Sequence, residues 1–456
     1  MTYLISLWAS VVLASSPMHS HQLQAQQRLG AATPLASAMP TPASERVTVY
    51  GYIPYWISDP LGVDFDSLTH AAWFNVALDA SGYAIDTSTW HSHADELVAR
   101  AHAVGTKVHL TVAMFDDEVQ ASVLSNATHR ARAVSELSEL VNAYGADGIN
   151  VDLEGTAAAQ KDDLVQFVID LKAVVDEVYL ATPAVDWRGA YDYDQLAFHS
   201  DGMFIMGYGY HWSGGDPGPV APLFGGEPWS VYALEWTLED YRTWGATDDK
   251  IVMGLPLYGR SWPSPDDSVP GVSIGSSSAV TMGNAIAYAA GFEPRYDDVT
   301  ETPWLWDGSE QLWYDDHDSV EIKLQWSVDQ GIQGVGFWAL GYDGNNPAFW
   351  EMVDDVTSIG PSDDPGPTDT GLVDTGHVDT GHTDSETTDS GKGDTGAPDA
   401  DSGSDFEPMD SGDIGETELG TDDASDEEKA GCGCSTAQPT PFWLIALAGL
   451  WVRRRP

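Results

Sequence analysis

The sequence predicts an α/β fold, a (β/α)8 TIM barrel, and three features of the middle of the chain support this prediction. Eight short apolar runs occur there, segments with apolar residues three or four positions apart separate them, and strand alternates with helix, which is typical of a parallel sheet. Eight such strands close a barrel. The predicted strands are residues 47–56, 70–78, 107–115, 148–153, 178–183, 202–208, 251–258 and 334–340.

The segments between these strands complete the barrel in chain order. Their amphipathic spacing predicts helices over residues 94–103, 130–144, 161–177, 234–244 and 319–330. Residues 263–312, between the seventh and eighth strands, leave room for a small insertion, and we expect its Tyr288, Trp304 and Trp306 to deepen a groove. The barrel domain is therefore predicted to cover residues 47–358.

Both ends of the chain differ from the barrel domain in composition. Residues 1–25 contain a short apolar run and end at a small residue, which predicts a signal peptide, and residues 26–46 form a linker. Residues 359–430 are rich in Asp, Thr, Ser and Gly, so we predict a disordered, extended acidic spacer. Residues 431–456 combine two cysteines, an apolar run too short to span a bilayer and three arginines, which indicates a sorting or anchor signal.

The composition excludes several function classes. With 19 Lys and Arg against 71 Asp and Glu, the formal charge is −52, and so acidic a chain repels nucleic acid. The 13 histidines show no metal-ligand spacing and no glycine-rich phosphate loop occurs, so we predict neither a metal nor a cofactor. Because Cys432 and Cys434 lie in the tail, we predict a barrel without disulfides. We also expect the protein to be a monomer.

The fourth predicted strand carries the strongest functional signal. In the run DGINVDLE, from Asp147 to Glu154, an amide and two carboxylates alternate with apolar residues, so Asn150, Asp152 and Glu154 share one face. Burying carboxylates without a neighbouring cation is costly, which favours catalysis over a solvated acidic edge strand. Barrels of this kind keep their chemistry at the carboxyl ends of the strands, where Asp152 and Glu154 fall.

Six segments of the chain resemble segments of glycoside hydrolase family 18, the chitinase-like family, and they follow one another in the same order as in that family. DGINVDLE resembles its fourth-strand Asp-x-x-Asp-x-Asp-x-Glu signature, with Asn150 in place of one aspartate. The other segments are YGYIPYW from Tyr50, MGYGYH from Met206, GLPLYGRSW from Gly254, WYDD from Trp313 with the following Ser319 and Lys323, and GFWALGYD from Gly336. The resemblance covers about residues 47–355 and implies a barrel enzyme that hydrolyses a polysaccharide.

The resemblance implies a role for each candidate site residue. Glu154 would be the general acid, Asp152 would orient the substrate acetamido group and stabilise an oxazolinium ion, and Tyr208 would hydrogen-bond the acetamido carbonyl. Trp338 would form an aromatic floor beneath the sugar. The other candidates are the supporting residues Asn150 and Asp147 and the substrate-binding residues Tyr52, Trp56 and Trp212.

Two departures from the family pattern leave the substrate open. Asn150 and Gly209 stand where the family usually has aspartate, although Asn150 can still donate a hydrogen bond to Asp152. The expected substrate is a polymer of β-1,4-linked N-acetylglucosamine, chitin or chitin-like, cleaved with retention. The alternatives are a peptidoglycan-directed N-acetylglucosaminidase and a non-catalytic glycan-binding lectin. The presence of both Glu154 and Asp152 argues against the lectin.

The C-terminal segment resembles the Gly-Cys sorting tails of myxobacterial surface proteins. In such tails the chain is processed near the cysteine, which carries lipid. The resemblance therefore implies a secreted protein tethered to the bacterial outer membrane, with membrane contact through the tail alone.

Overall fold

Eight parallel strands form a closed barrel in the computed structural model, which describes residues 47–359. Numbered in chain order with the other strands, they are β1 (Thr48–Pro54), β2 (His70–Leu78), β4 (Lys107–Met114), β5 (Gly148–Leu153), β6 (Glu177–Pro183), β7 (Gly202–Met206), β8 (Ile251–Pro256) and β14 (Gly334–Trp338). Around the barrel the order is β1, β14, β8, β7, β6, β5, β4 and β2, and β1 pairs with β2 to close it. The eight predicted strands are thus confirmed.

The predicted signal peptide, linker, acidic spacer and sorting segment lie outside the described residues. A short β3 (Ala84–Ile85) pairs antiparallel with β2. The described α-helices are α1 (Ser88–Val104), α2 (Asp117–Ser125), α3 (Ala127–Tyr144), α4 (Lys161–Lys172), α5 (Tyr193–His199), α6 (Leu234–Thr243), α7 (Met282–Ala289), α8 (His317–Asp329) and α9 (Pro347–Ile359). Within residues 47–359, no helix is both long enough and apolar enough to cross a bilayer.

The helix predicted over residues 161–177 is too long, because α4 ends at Lys172. Beyond that residue the amides of Val174 and Val175 both donate to the carbonyl of Leu171, at 2.9 and 3.1 Å, which closes the last turn. The chain can then enter β6 at Glu177. The prediction extended past the helix end because Val174 and Val175 lie three and four residues after Leu171, which continues the helical spacing in the sequence.

Aromatic side chains fill the barrel interior. Tyr50 and Tyr52 on β1 lie 5.7 and 4.8 Å from Phe204 of β7, measured between ring centroids. Phe204 needs glycine on the adjoining strands, since a Cβ at Gly254 or Gly336 would approach its ring to 2.3 or 2.5 Å. Small residues on β8 and β14 therefore make room for the aromatic core that supports the catalytic end.

The predicted insertion is a second sheet between β8 and β14. It contains five antiparallel strands, β9 (Tyr258–Pro263), β10 (Ser278–Thr281), β11 (Arg295–Asp297), β12 (Thr302–Trp306) and β13 (Glu310–Trp313), in the order β10, β9, β13, β12, β11. The prediction that Trp304 deepens a groove is wrong. Its ring stacks on Trp313 with centroids 5.0 Å apart, and it is buried in the main hydrophobic core.

Candidate active site

The DGINVDLE run forms β5 and the turn that follows it. In the parallel register, Asn150 lies opposite Thr111 and Asp152 lies opposite Ala113, both on β4. Asn150 is 0% and Asp152 is 4% exposed, whereas Glu154, one residue beyond the strand end, is half-buried. The alternation therefore directs the amide and the aspartate into the barrel and brings Glu154 to its carboxyl-terminal rim.

Asp152 is a buried carboxylate without a cationic partner among residues 47–359, and its Oδ1 atom has no hydrogen bond there. Burial raises the pKa of Asp152 to about 7. The hydroxyls of Tyr52 and Tyr208 are close enough to interact with this charge, which adds to the effect of burial in raising their own pKa values. An unpaired buried acceptor costs about 1–3 kcal/mol, so Asp152 is placed to accept a hydrogen bond from a ligand.

Glu154 interacts with Asp152 strongly enough to change its acidity. Burial raises the pKa of Glu154 well above its usual value, and the charge on Asp152 raises it further. Two carboxyls that disfavour each other's ionisation keep at least one proton between them near neutral pH. Glu154 can therefore act as a proton donor at the rim of the barrel while Asp152 lies below it.

Two polar side chains that the sequence analysis missed hold the backbone around Glu154. Gln120 on α2 donates from Nε2 to the carbonyl oxygen of Glu154 at 2.6 Å, and the hydroxyl of Thr156 donates to Gln120 Oε1 at 2.7 Å. Tyr191 donates its hydroxyl to the carbonyl oxygen of Leu153 at 2.6 Å. Gln120 and Tyr191 are 34 and 38 residues away from these partners, so no local motif could have identified them.

Trp338 ends β14 and is nearly buried, at 8% exposure. Its ring centroid lies 4.6 Å from Phe74, 5.5 Å from Tyr52 and 6.3 Å from Trp56, which hold it in place from three sides. Tyr52 is only 2% exposed and Trp56 donates from Nε1 to the hydroxyl of Tyr342 at 3.0 Å. Tyr52 is thus buried against Trp338, and its predicted role in binding substrate stays a prediction.

A cavity of about 460 Å³ opens beside Glu154. Its lining includes Glu154, Tyr208, Gly209, Trp212, Trp187 and Tyr232. Trp212, predicted to bind substrate, is therefore in the wall of this cavity. Gly209 has φ of 77°, a left-handed conformation that favours glycine. The absence of aspartate at this position is thus accompanied by a backbone that a side chain rarely adopts.

Asn150 lies between the catalytic pair and the centre of the barrel. Its carboxamide faces the hydroxyls of Tyr50 and Tyr52 and opposes the effect of burial, which is the larger one, on the pKa values of both. Neither atom of this amide reaches standard hydrogen-bond geometry with a partner in residues 47–359. Asn150 therefore belongs to the polar interior beneath Asp152, in agreement with its predicted supporting position.

Asp147 does not lie in the site, and its predicted supporting role is corrected. It precedes β5 at the amino-terminal end of the barrel, where Oδ2 accepts from the amide of Val108 at 2.7 Å and pairs with His102 at 2.8 Å. The strand places Asp147 and Glu154 at opposite ends, because each strand residue advances the chain by about 3.3 Å. Asp147 therefore fixes the start of β5 against β4.

A barrel with an acid at the carboxyl-terminal rim and a second carboxylate below it is typical of a glycosidase site. The sequence model of glycosyl hydrolases family 18 matches residues 48–343, and the chain belongs to that family. It is a glycoside hydrolase of the chitinase-like type.

Three similar proteins show the range of the family. YdhD of Bacillus subtilis, whose name describes a sporulation-specific glycosylase, is 28% identical over 325 residues, 68% of this chain and 71% of the relative. The cortical fragment-lytic enzyme of the same organism is 24% identical over 263 residues, 54% of this chain and 58% of the relative. The Group IV chitinase of Ostrinia furnacalis, solved with allosamidin, shares the fold with a TM-score of 0.63 at 17% identity, over 70% of this chain and all of that one.

Proposed function

We propose that this protein cleaves polymers of β-1,4-linked N-acetylglucosamine, chitin or a chitin-like glycan, with retention of configuration and with help from the substrate's own acetamido group. The observation that carries the proposal is the pair of Asp152 and Glu154, whose pKa values are both raised and which have no cationic partner within residues 47–359. A nucleophilic carboxylate would need to reach the anomeric carbon, whereas Asp152 is buried at 4% exposure, below Glu154 in the barrel.

In the proposed first step, Glu154 donates its proton to the glycosidic oxygen, and the bond from that oxygen to the anomeric carbon breaks. The acetamido carbonyl oxygen of the same sugar attacks the anomeric carbon, which gives an oxazolinium ion. The unpaired Oδ1 of Asp152 accepts the acetamido N–H, and its negative charge stabilises the ion as it forms. A water oxygen then attacks the anomeric carbon and opens the oxazolinium ion. Glu154 takes the proton from this water, which restores its acid form.

Two further residues support this reaction. Tyr208 lines the same cavity as Glu154 and interacts electrostatically with both carboxylates. Burial raises its pKa, which keeps its hydroxyl protonated and able to donate to the acetamido carbonyl. Trp338 is held edge-on by Phe74 and Tyr52, which leaves it as a rigid apolar surface for one face of the sugar ring. Both groups position the acetamido oxygen close to the anomeric carbon, which lowers the entropic part of the barrier.

A second candidate substrate is the glycan of bacterial peptidoglycan. It also contains β-1,4-linked N-acetylglucosamine, and two of the similar proteins are described as a sporulation-specific glycosylase and a cortical fragment-lytic enzyme. Gly209 lines the cavity without a side chain, where the family pattern usually has aspartate, and this difference favours a substrate other than plain chitin. Either polymer lies outside the cell, which supports the export proposed from the terminal segments.

The test is product analysis by mass spectrometry, with the initial anomer identified by proton NMR, after incubation of the full-length protein, and of its Glu154→Gln variant, with chitin oligosaccharides and with purified peptidoglycan. We expect products ending in reducing N-acetylglucosamine from one polymer, with the β anomer formed first, and none from the variant. Initial formation of the α anomer would reject the retaining mechanism. Binding of both polymers without cleavage would support the lectin alternative.

A further inference from the structure

We infer that the amino-terminal end of the barrel holds a divalent metal site of the zinc class, formed by His70, His109 and Glu177. One nitrogen from each imidazole and one carboxylate oxygen lie within 4.8 Å of one another. This is the one such grouping of three within residues 47–359, and it lies at the end of the barrel opposite Glu154.

The geometry of the three groups suits a metal. Nε2 of His70 and Nε2 of His109 each lie 3.1 Å from the same oxygen of Glu177, Oε2. Two ligand atoms bound to Zn²⁺ at about 2.1 Å in a tetrahedral arrangement are about 3.4 Å apart, so small side-chain rotations admit the ion. Two histidines and one glutamate leave a fourth position for water.

The second ring nitrogen of each histidine lies within hydrogen-bond distance of a hydroxyl oxygen. Nδ1 of His70 is 2.8 Å from Thr69 Oγ1, which also accepts from the amide of Val49. Nδ1 of His109 is 3.1 Å from the hydroxyl of Tyr50. Outer partners of this kind hold the ring orientation of metal-binding histidines, and here they direct both Nε2 atoms towards Glu177.

The site is accessible and lies on three separate strands. A cavity of about 520 Å³ at this end of the barrel is lined by His70, Glu177, Lys107 and Thr69, which gives an ion a route in and room for a water ligand. His70 begins β2, His109 lies on β4 and Glu177 begins β6. An ion bound there would tie these strands together and raise the stability of the barrel.

Lys107 competes for the same carboxylate, since its ammonium group forms an ion pair with Oε1 of Glu177. The lysine side chain is 47% exposed, so it can turn towards solvent when a metal binds. Its positive charge lowers the affinity for a divalent ion. Removing that charge therefore has an effect opposite in sign to removing a ligand, which makes Lys107 a sharp probe of the site.

The test is Zn²⁺ binding by the full-length protein carrying Cys432→Ser and Cys434→Ser, which removes the thiols of the tail as ligands. Bound zinc is measured by elemental analysis after dialysis and by titration calorimetry, and Co²⁺ absorption reports the coordination geometry. We expect one zinc per chain, a tetrahedral Co²⁺ spectrum and a higher melting temperature with zinc. Glu177→Gln and His109→Ala should each weaken binding by more than about 100-fold, and Thr69→Val by about tenfold.

The matched control is His102→Ala, which removes a histidine paired with a carboxylate, Asp147, at the same end of the barrel but without a third ligand. It should leave zinc binding unchanged. Lys107→Met should raise the affinity for zinc by about tenfold or more. If the ligand variants do not fold, this change in affinity tests the site by itself. Zinc bound equally by Glu177→Gln and the parent, no retained zinc, or no gain in Lys107→Met would each overturn the inference.

Discussion

The two ends of the barrel bury carboxylates in opposite electrostatic settings. At the carboxyl-terminal end, Asp152 and Glu154 have no lysine or arginine bonded to them within residues 47–359, and burial raises both pKa values. At the amino-terminal end, burial would raise the pKa of Glu177, but hydrogen bonds from His109, His70 and Lys107 outweigh it and lower that pKa. The same barrel therefore makes one end a proton donor and the other a fixed anion.

This difference shows how the fold separates chemistry from structure. A carboxylate with enough donors stays ionised and contributes to stability, whereas a carboxylate without them holds a proton that can be transferred. Tyr50 lies between the two settings, since its hydroxyl is 3.1 Å from His109 and also interacts with Asn150. Variants at the two ends should thus have different effects on activity and on stability.

The largest expected difference is in turnover. Glu154→Gln removes the transferable proton and should lower kcat on N-acetylglucosamine oligosaccharides by about 10²–10⁴-fold. Glu177→Gln, at the other end, should keep kcat within about threefold while lowering the free energy of unfolding by about 2 kcal/mol through lost charged hydrogen bonds. Steady-state kinetics and urea unfolding of the two variants make the comparison. A loss of turnover in Glu177→Gln equal to that in Glu154→Gln would contradict the separation of the two ends.

The pH dependence of stability should identify the catalytic end next. Because the pKa of Asp152 is raised to about 7 in the fold, the native state binds a proton that the unfolded chain has released above about pH 4. Its ionisation therefore destabilises the fold progressively from about pH 4 to about pH 7. Asp152→Asn should be more stable than the parent by on the order of 2–4 kcal/mol at pH 8, with the difference vanishing near pH 4.

Urea unfolding at the two pH values measures this effect. Asp147→Asn is the control, because Asp147 accepts a backbone hydrogen bond and pairs with His102. That variant should be less stable than the parent at pH 8. If Asp152→Asn also lost stability at pH 8, the carboxylate would have a stabilising partner and the proposed proton-holding pair would be wrong.

A smaller effect is expected in the pH profile of Asn150→Asp. The added carboxyl shares the interior with Asp152, so the last proton leaves the cluster at higher pH. The alkaline limb of the kcat profile should therefore move to higher pH by about one pH unit. Asn142→Asp adds the same charge on an exposed position of α3 and should leave the profile unchanged. An unmoved limb in Asn150→Asp would mean that Asn150 is not coupled to the catalytic pair.

The smallest effect is expected at the rim of the cavity. Trp187 is 48% exposed and packs edge-on against Tyr232 with centroids 5.0 Å apart. Trp187→Ala should raise KM for long oligosaccharides about threefold to tenfold and change the free energy of unfolding by less than about 0.5 kcal/mol. Phe198→Ala, at an exposed position of α5, is the control and should not change KM. An equal change in both variants would exclude Trp187 as a specific sugar contact.

The sequence predicted the strands well because their signals are local. Runs of apolar residues between turn formers identified all eight barrel strands, and β2 and β5 have the predicted bounds. The helix predicted at α4 was too long, because the apolar spacing continues beyond the end of the helix. The prediction for Trp304 was wrong, because sequence alone does not distinguish a buried tryptophan from one in a cleft. The sequence also assigned Asp147 to the site because that residue belongs to the family motif, although it precedes β5 at the opposite end of the barrel from Glu154.

The sequence by itself determined the barrel, the alternation that aligns Asn150, Asp152 and Glu154, and the family to which those residues belong, since all three follow from the spacing of residues close in the chain. The tertiary structure alone decided which groups meet across strands. Gln120 reaches the Glu154 carbonyl, and His70 and His109 reach Glu177 over 107 and 68 residues. Such contacts depend on barrel closure and register, so burial and hydrogen bonding, and with them the pKa values, are decided only in the fold.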